Sequence, residues 1–95
     1  NKPGYTVLDV RKPGEYETEH IAGAKNMELN TIRNRMNELD KATTYILHCA
    51  AGYRSMIAAS QLKENGFDNF INVAGGYNAL KKTDLPKEVS VLTEV

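Results

Sequence analysis

Two runs, Tyr5-Thr6-Val7-Leu8-Asp9-Val10 and Thr44-Tyr45-Ile46-Leu47-His48-Cys49, are rich in β-branched and apolar residues but lack clean alternation of apolar and polar positions. Strands of that kind have no solvent face, which suits a parallel sheet covered on both sides. A third run, Phe70-Ile71-Asn72-Val73, ends at Ala74-Gly75-Gly76, and a shorter one over 24–27 is a fourth candidate strand. Parallel neighbours cannot be joined by hairpins and need long crossovers, usually helical. The intervening sequence must therefore supply helices.

It does so in four places. Pro13-Gly14-Glu15-Tyr16-Glu17 has a proline near its start and carboxylates in the first turn, where the helix dipole favours them. Over 30–40, Asn30 or Thr31 can cap, and Ile32, Met36 and Leu39 form one apolar stripe. Residues 54–65 combine Ile57, Ala58 and Leu62 with strong helix formers and precede Gly66, a C-terminal cap residue. A last short helix spans 76–82, with Tyr77 and Leu80 on a shared face. The predicted architecture is an α/β domain with a parallel sheet, and ligands of such sheets bind beyond the carboxyl ends of strands. Cys49 sits at one of those ends.

The segment His48-Cys49-Ala50-Ala51-Gly52-Tyr53-Arg54-Ser55 runs from strand through a short glycine loop into a helix. Amides of a tight loop and of a first helical turn lack intrahelical partners and point at whatever fills the loop centre. Small residues at Ala50, Ala51 and Gly52 let the backbone wrap closely around a sulfur atom. The same amides and the nearby Arg54 cation are expected to lower the Cys49 thiol from about 8.5 toward neutrality, so that a thiolate nucleophile is present. A persulfide formed on Cys49 is also an anion, held by the same amides. His48 is no obvious base for Cys49, because adjacent strand residues point to opposite faces.

Size and charge narrow the choices further. Ninety-five residues make a single domain over 1–95, with 86–95 as a tail that either adds a strand or trails off. Twelve basic and twelve acidic residues balance, and aromatic residues are sparse, which speaks against a nucleic-acid surface. No apolar stretch approaches the roughly 18–20 residues of a membrane span, and a cytoplasmic location is the expectation. A single cysteine cannot form an internal disulfide, and two histidines without neighbouring cysteines lack zinc-site spacing. No metal or organic cofactor is implied. Opening at Asn1 with an apolar run close behind, the chain reads as a domain excised from a longer one.

Three ordered segments carry a family resemblance. Leu8-Asp9-Val10-Arg11, Glu15-Tyr16 and His20-Ile21-Ala22-Gly23-Ala24-Lys25-Asn26 resemble the amino-terminal signature of the rhodanese sulfurtransferases. Cys49 to Ser55 resembles their active-site loop, and Val73-Ala74-Gly75-Gly76-Tyr77 their carboxy-terminal glycine turn. The resemblance implies a three-layer fold, with a five-stranded parallel sheet flanked by helices on both faces. It also implies a double displacement in which Cys49 takes a sulfane sulfur from a donor and yields it to a thiol or cyanide. Ala50, Ala51, Gly52, Tyr53 and Arg54 carry over as the loop that binds the transferred sulfur. Family members are often fused to other sulfur-handling enzymes, persulfide dioxygenases among them, and the usual opening strand and helix do not precede Tyr5.

The departures bear on the donor. Two-domain thiosulfate enzymes of the family place cations in and near the loop, whereas this chain has Ala50 and Ala51 in it and Glu15 beyond it. Glutathione persulfide is thus expected to rank level with thiosulfate or slightly above. Arg54 has two open readings: it holds an anionic donor, or it pairs with Asp9 or Glu15 and fixes the loop's shape. Asp9 and Arg11 are expected to brace neighbouring loops, His20 to pack at a helix end, and Tyr53 to shape access at the loop rim. Two rival functions stand beside this one. Cysteine-dependent phosphatases place five residues between cysteine and arginine, against four here, and non-catalytic rhodanese modules usually lack the cysteine that this chain keeps.

Overall fold

The computed structural model describes residues 4–88. Strands β1 (Tyr5–Asp9), β3 (Lys25–Asn26), β4 (Thr44–His48) and β5 (Phe70–Asn72) form one parallel sheet in the order β3-β1-β4-β5. Among the described residues the parallel sheet thus has four strands rather than five. Strand β2 (His20–Ile21) instead pairs antiparallel with β6 (Lys87–Glu88), so the start of the expected tail does add a strand. The rest of the 86–95 segment, from 89 onward, lies outside the described residues. Helices α1 (Pro13–Thr18), α2 (Tyr53–Glu64) and α3 (Gly76–Leu80) complete the fold, and among the described residues no helix is long and apolar enough to cross a membrane.

The central strands are covered on both faces, as their unbroken apolar character requires. On one face Leu8, Tyr45, Leu47 and Cys49 pack with Ala58 and Leu62 of α2 and with Ile32. On the other, Val7 joins Ile21, Ala24, Tyr16 of α1 and Tyr77 and Leu80 of α3. Leu8, Leu47, Ile32 and Leu62 are fully buried, and each such side chain contributes roughly 1.5–3 kcal/mol of burial.

Local chemistry sets the helix ends. At α1 Pro13 occupies the first turn, and the Glu15 carboxylate reaches back to accept the Lys12 amide at 2.9 Å, the one half of a capping box that a lysine at the N-cap allows. Helix α2 closes in a Schellman turn, with Phe67 N–H donating to Leu62 O and Gly66 N–H to Lys63 O, while Gly66 takes φ +86°. The segment 30–40 departs from the expected α-helix. It forms two 3-10 helices, Leu29–Asn34 and Met36–Glu38, broken at Arg35. Asn30, Asn34 and Asn37 are poor helix formers, and Thr31 spends its hydroxyl on the Glu28 carbonyl. Ile32 and Leu39 are nonetheless buried in the core and Met36 packs against it, so the expected apolar stripe faces inward although the helix carrying it is broken.

A charged knot ties the strand ends together. The Asp9 carboxylate accepts the Arg11 backbone amide, Nε and Nη2, and Arg11 Nη2 also donates to Glu19 O at 2.7 Å. The Asn26 side chain donates to the carbonyls of Asp9 and Arg11. These residues brace the loops after β1 and α1, in line with the bracing role read from the sequence. His20 stacks on Tyr16 and shares a 2.7 Å hydrogen bond with its carbonyl, at the end of α1.

Removing one member of a buried ion pair leaves the other without a countercharge. Asp9→Ala should therefore lower unfolding stability by about 3 kcal/mol or more, read from urea midpoints; a loss below about 1 kcal/mol would contradict this role.

Candidate active site

Strand β4 delivers Cys49 to the carboxyl edge of the sheet, and Gly52 turns the chain into α2 with φ +101°. A Cβ at Gly52 would stand 3.3 Å from the Gly75 amide, so the loop and the turn before α3 touch backbone to backbone. Contact is closer still at Gly76, where φ is +55° and a Cβ would lie 2.3 Å from Cys49 O. Only glycine fits there. This approach lets Tyr77 N–H donate to Cys49 O at 2.6 Å and Asn78 N–H to Ala50 O at 2.9 Å.

Those two bonds orient the loop. In a trans peptide the C=O and N–H point in opposite directions, so anchoring the Ala50 carbonyl on α3 turns the Ala51 amide toward the loop centre. Gly52 N–H donates to Cys49 Sγ at 3.0 Å, and the Ser55 hydroxyl lies 3.7 Å from the same sulfur. Burial pushes the thiol up, since Cys49 is only 1 % exposed. The backbone amide and hydroxyl of Ser55 and the amides of Gly52 and Ala51 outweigh it and hold Cys49 below its ordinary range.

Of the two carboxylates considered for it, Arg54 pairs with Glu15. Its guanidinium donates to both Glu15 oxygens, at 2.8 and 3.2 Å, linking α2 to α1. This bond is the main cause that holds the Glu15 carboxyl down at about 2. The lowering of Cys49 thus comes chiefly from amides and a hydroxyl rather than from Arg54. Of the other loop residues, Ala50 is half-buried, Ala51 exposed, and Tyr53 75 % exposed at the rim. Ala50 also borders an open depression of about 290 Å³ lined by Arg11, Glu15, Glu19, Tyr77 and Lys81. A larger one beside Lys41 and Phe67 lies near the amino end of β4, away from the sulfur.

His48 points to the opposite face from Cys49, as strand alternation requires. It is fully buried, stacks toward Tyr77 at 5.8 Å, and has Nε2 3.6 Å from Asp9 Oδ2. Burial pushes its pKa down and favours the neutral ring. Ser55 and the first turn of α3 were not among the residues assigned to sulfur binding from the sequence. Ser55 was legible in principle, as a hydroxyl in the first turn of the helix after the loop. The role of Gly76 was not, because its constraint is a tertiary contact across 27 residues.

The rhodanese-like domain profile matches residues 1–83. Among curated proteins, the putative sulfur carrier protein YrkF of Bacillus subtilis is 40 % identical over 70 residues, covering 74 % of this chain and 38 % of that protein. The uncharacterized protein YqhL of the same organism is 38 % identical over 71 residues, covering 75 % and 56 %. The chain therefore spans about half or less of the length of these two relatives. The thiosulfate sulfurtransferase GlpE of Coxiella burnetii is 30 % identical over 80 residues, covering 84 % and 75 %. A rhodanese-like domain protein from Staphylococcus aureus superposes with a TM-score of 0.83 at 33 % identity, covering 96 % of this chain and 85 % of that one. A rhodanese-related protein from Thermoplasma volcanium gives 0.83 at 32 % identity, covering 90 % and 85 %.

If the Ser55 hydroxyl helps hold the thiolate, Ser55→Ala should move the Cys49 titration upward. The pH profile of iodoacetamide alkylation would then rise at higher pH in the variant, and an unmoved inflection would remove the hydroxyl from the account.

Proposed function

The chain belongs to the rhodanese-like domain family, and from that premise we propose that it is a sulfurtransferase carrying sulfane sulfur on Cys49. The observation that supports this best is the ring of donors around one buried sulfur: Gly52 N–H at 3.0 Å, with Ser55 and Ala51 adding to the stabilisation of the thiolate. Such a ring stabilises negative charge without a side-chain cation, because its dipoles are fixed in place before any donor arrives.

In the first half-reaction the thiolate attacks the outer sulfur of thiosulfate, forming the Cys49 S–S bond as the S–S bond of the donor breaks and sulfite leaves with the electron pair. From glutathione persulfide the leaving group is glutathione thiolate. The outer sulfur of the resulting persulfide then lies at the loop of Ala50, Ala51, Gly52, Tyr53 and Arg54. In the second half-reaction an acceptor thiolate or cyanide takes that sulfur, and Cys49 returns as thiolate. Cys49 is the only cysteine of the chain, so the acceptor comes from outside it, either a small molecule or a fused or partner enzyme. Four residues separate Cys49 from Arg54, a loop that suits a single sulfur better than a tetrahedral phosphate. A thiol that must stay reduced between turnovers fits a cytoplasmic setting.

Intact mass spectrometry after incubation with thiosulfate or glutathione persulfide tests the reading. The expected result is a gain of one sulfur atom, reversed by cyanide or a thiol and absent from Cys49→Ala. No adduct from either donor would favour a binding module.

A further inference from the structure

We propose that Glu15 is a donor-specificity residue: by holding the Arg54 guanidinium in a two-point ion pair beside the loop, it withdraws a cation from doubly charged donors and favours less charged ones. This rests on the sulfurtransferase reading and deepens it.

The pair is built in from both sides. Because α1 starts at Pro13, Glu15 falls at the position where its carboxylate also accepts the Lys12 amide at 2.9 Å. One carboxylate is thus fixed by its own helix and presents both oxygens to Arg54, at 2.8 and 3.2 Å. Arg54 stands in the first turn of α2, five residues from Cys49, and the charge of Cys49 is among the influences that raise it. Glu15 itself, held at about 2, stays ionised at any neutral assay pH. Of the two cations that line the depression beside the loop, Arg11 is likewise engaged, by Asp9. Lys81 borders that depression on the α3 side.

Thiosulfate is a dianion that must approach a thiolate, so its transition state gathers three negative charges that a free guanidinium would stabilise. Attack on glutathione persulfide gathers two negative charges at the reacting sulfurs when the persulfide is ionised and one when it is protonated, in either form fewer than three, and so depends less on that cation. Pairing with Glu15 cancels most of the guanidinium's field beyond the pair. Donor choice is then set by a residue that need not touch the sulfur.

The test is Glu15→Gln, which keeps an oxygen for the Lys12 amide and removes the charge. Its kcat/KM for thiosulfate should rise about fivefold at low ionic strength, with the gain shrinking as salt is added. Its kcat/KM for glutathione persulfide should stay within about twofold. The gain should vanish in the double variant Glu15→Gln, Arg54→Gln, with circular dichroism melting confirming that each variant is folded. An unchanged donor ratio in a variant that still gains one sulfur by mass would overturn this inference alone. Failure of parent and variant alike to gain sulfur would overturn the sulfurtransferase reading and this inference with it.

Discussion

The site depends on the register in which β1 lies against β4, from Tyr5 opposite Thr44 to Asp9 opposite His48. Side chains alternate along a strand, so a slip of one residue would exchange the contents of the two faces. In the register observed, Leu8, Leu47 and Cys49 face α2, while Asp9 and His48 face Tyr77. The Cys49 sulfur and the buried ion pair are therefore separated by the thickness of one strand. Asp9 and Arg11 fix the sheet edge beneath the loop, and Cys49 is left to the amides above it.

Magnitudes decide the chemistry of that sulfur. Burial alone would keep Cys49 a neutral thiol, and a lone surface cation contributes little in the presence of water and salt. Several prealigned donors, led in proximity by the Gly52 amide at 3.0 Å, together outweigh burial and need no reorganisation. The nearby guanidinium is tied to a carboxylate and adds less. The groups that stabilise the thiolate are thus distinct from the Arg54–Glu15 pair proposed to select its donor.

Much of this could be read from the residues. The two central strands, α2 with its glycine terminator, and the cysteine loop all follow from local pattern, since burial on both faces and helix capping leave marks within a few positions. The segment over 30–40 misled because the apolar spacing of Ile32, Met36 and Leu39 suggested one helix while its asparagines favoured tighter turns. Strand β2 is two residues long and pairs with residues 87–88, so no local signal announces it. The choice of Glu15 over Asp9 as the partner of Arg54 could not be read either, because Asp9 is claimed by Arg11 only once β1 and α1 are in place. The glycines before α3 were legible as a turn, but their contact with Cys49 O was not.

The loop is held almost wholly by main chain: carbonyls on the amides of α3, a glycine against a glycine, and amides toward the sulfur. Its outline is consequently set more by these contacts and by the Arg54–Glu15 pair than by the side chains at 50, 51 and 53, which are half-buried or exposed. Shape and selectivity are inherited separately, so these positions can diversify by single substitutions without redrawing the ring. The loop behaves as a fixed socket with an exchangeable faceplate, and new chemistries could be explored from it without passing through an unfolded intermediate in sequence space.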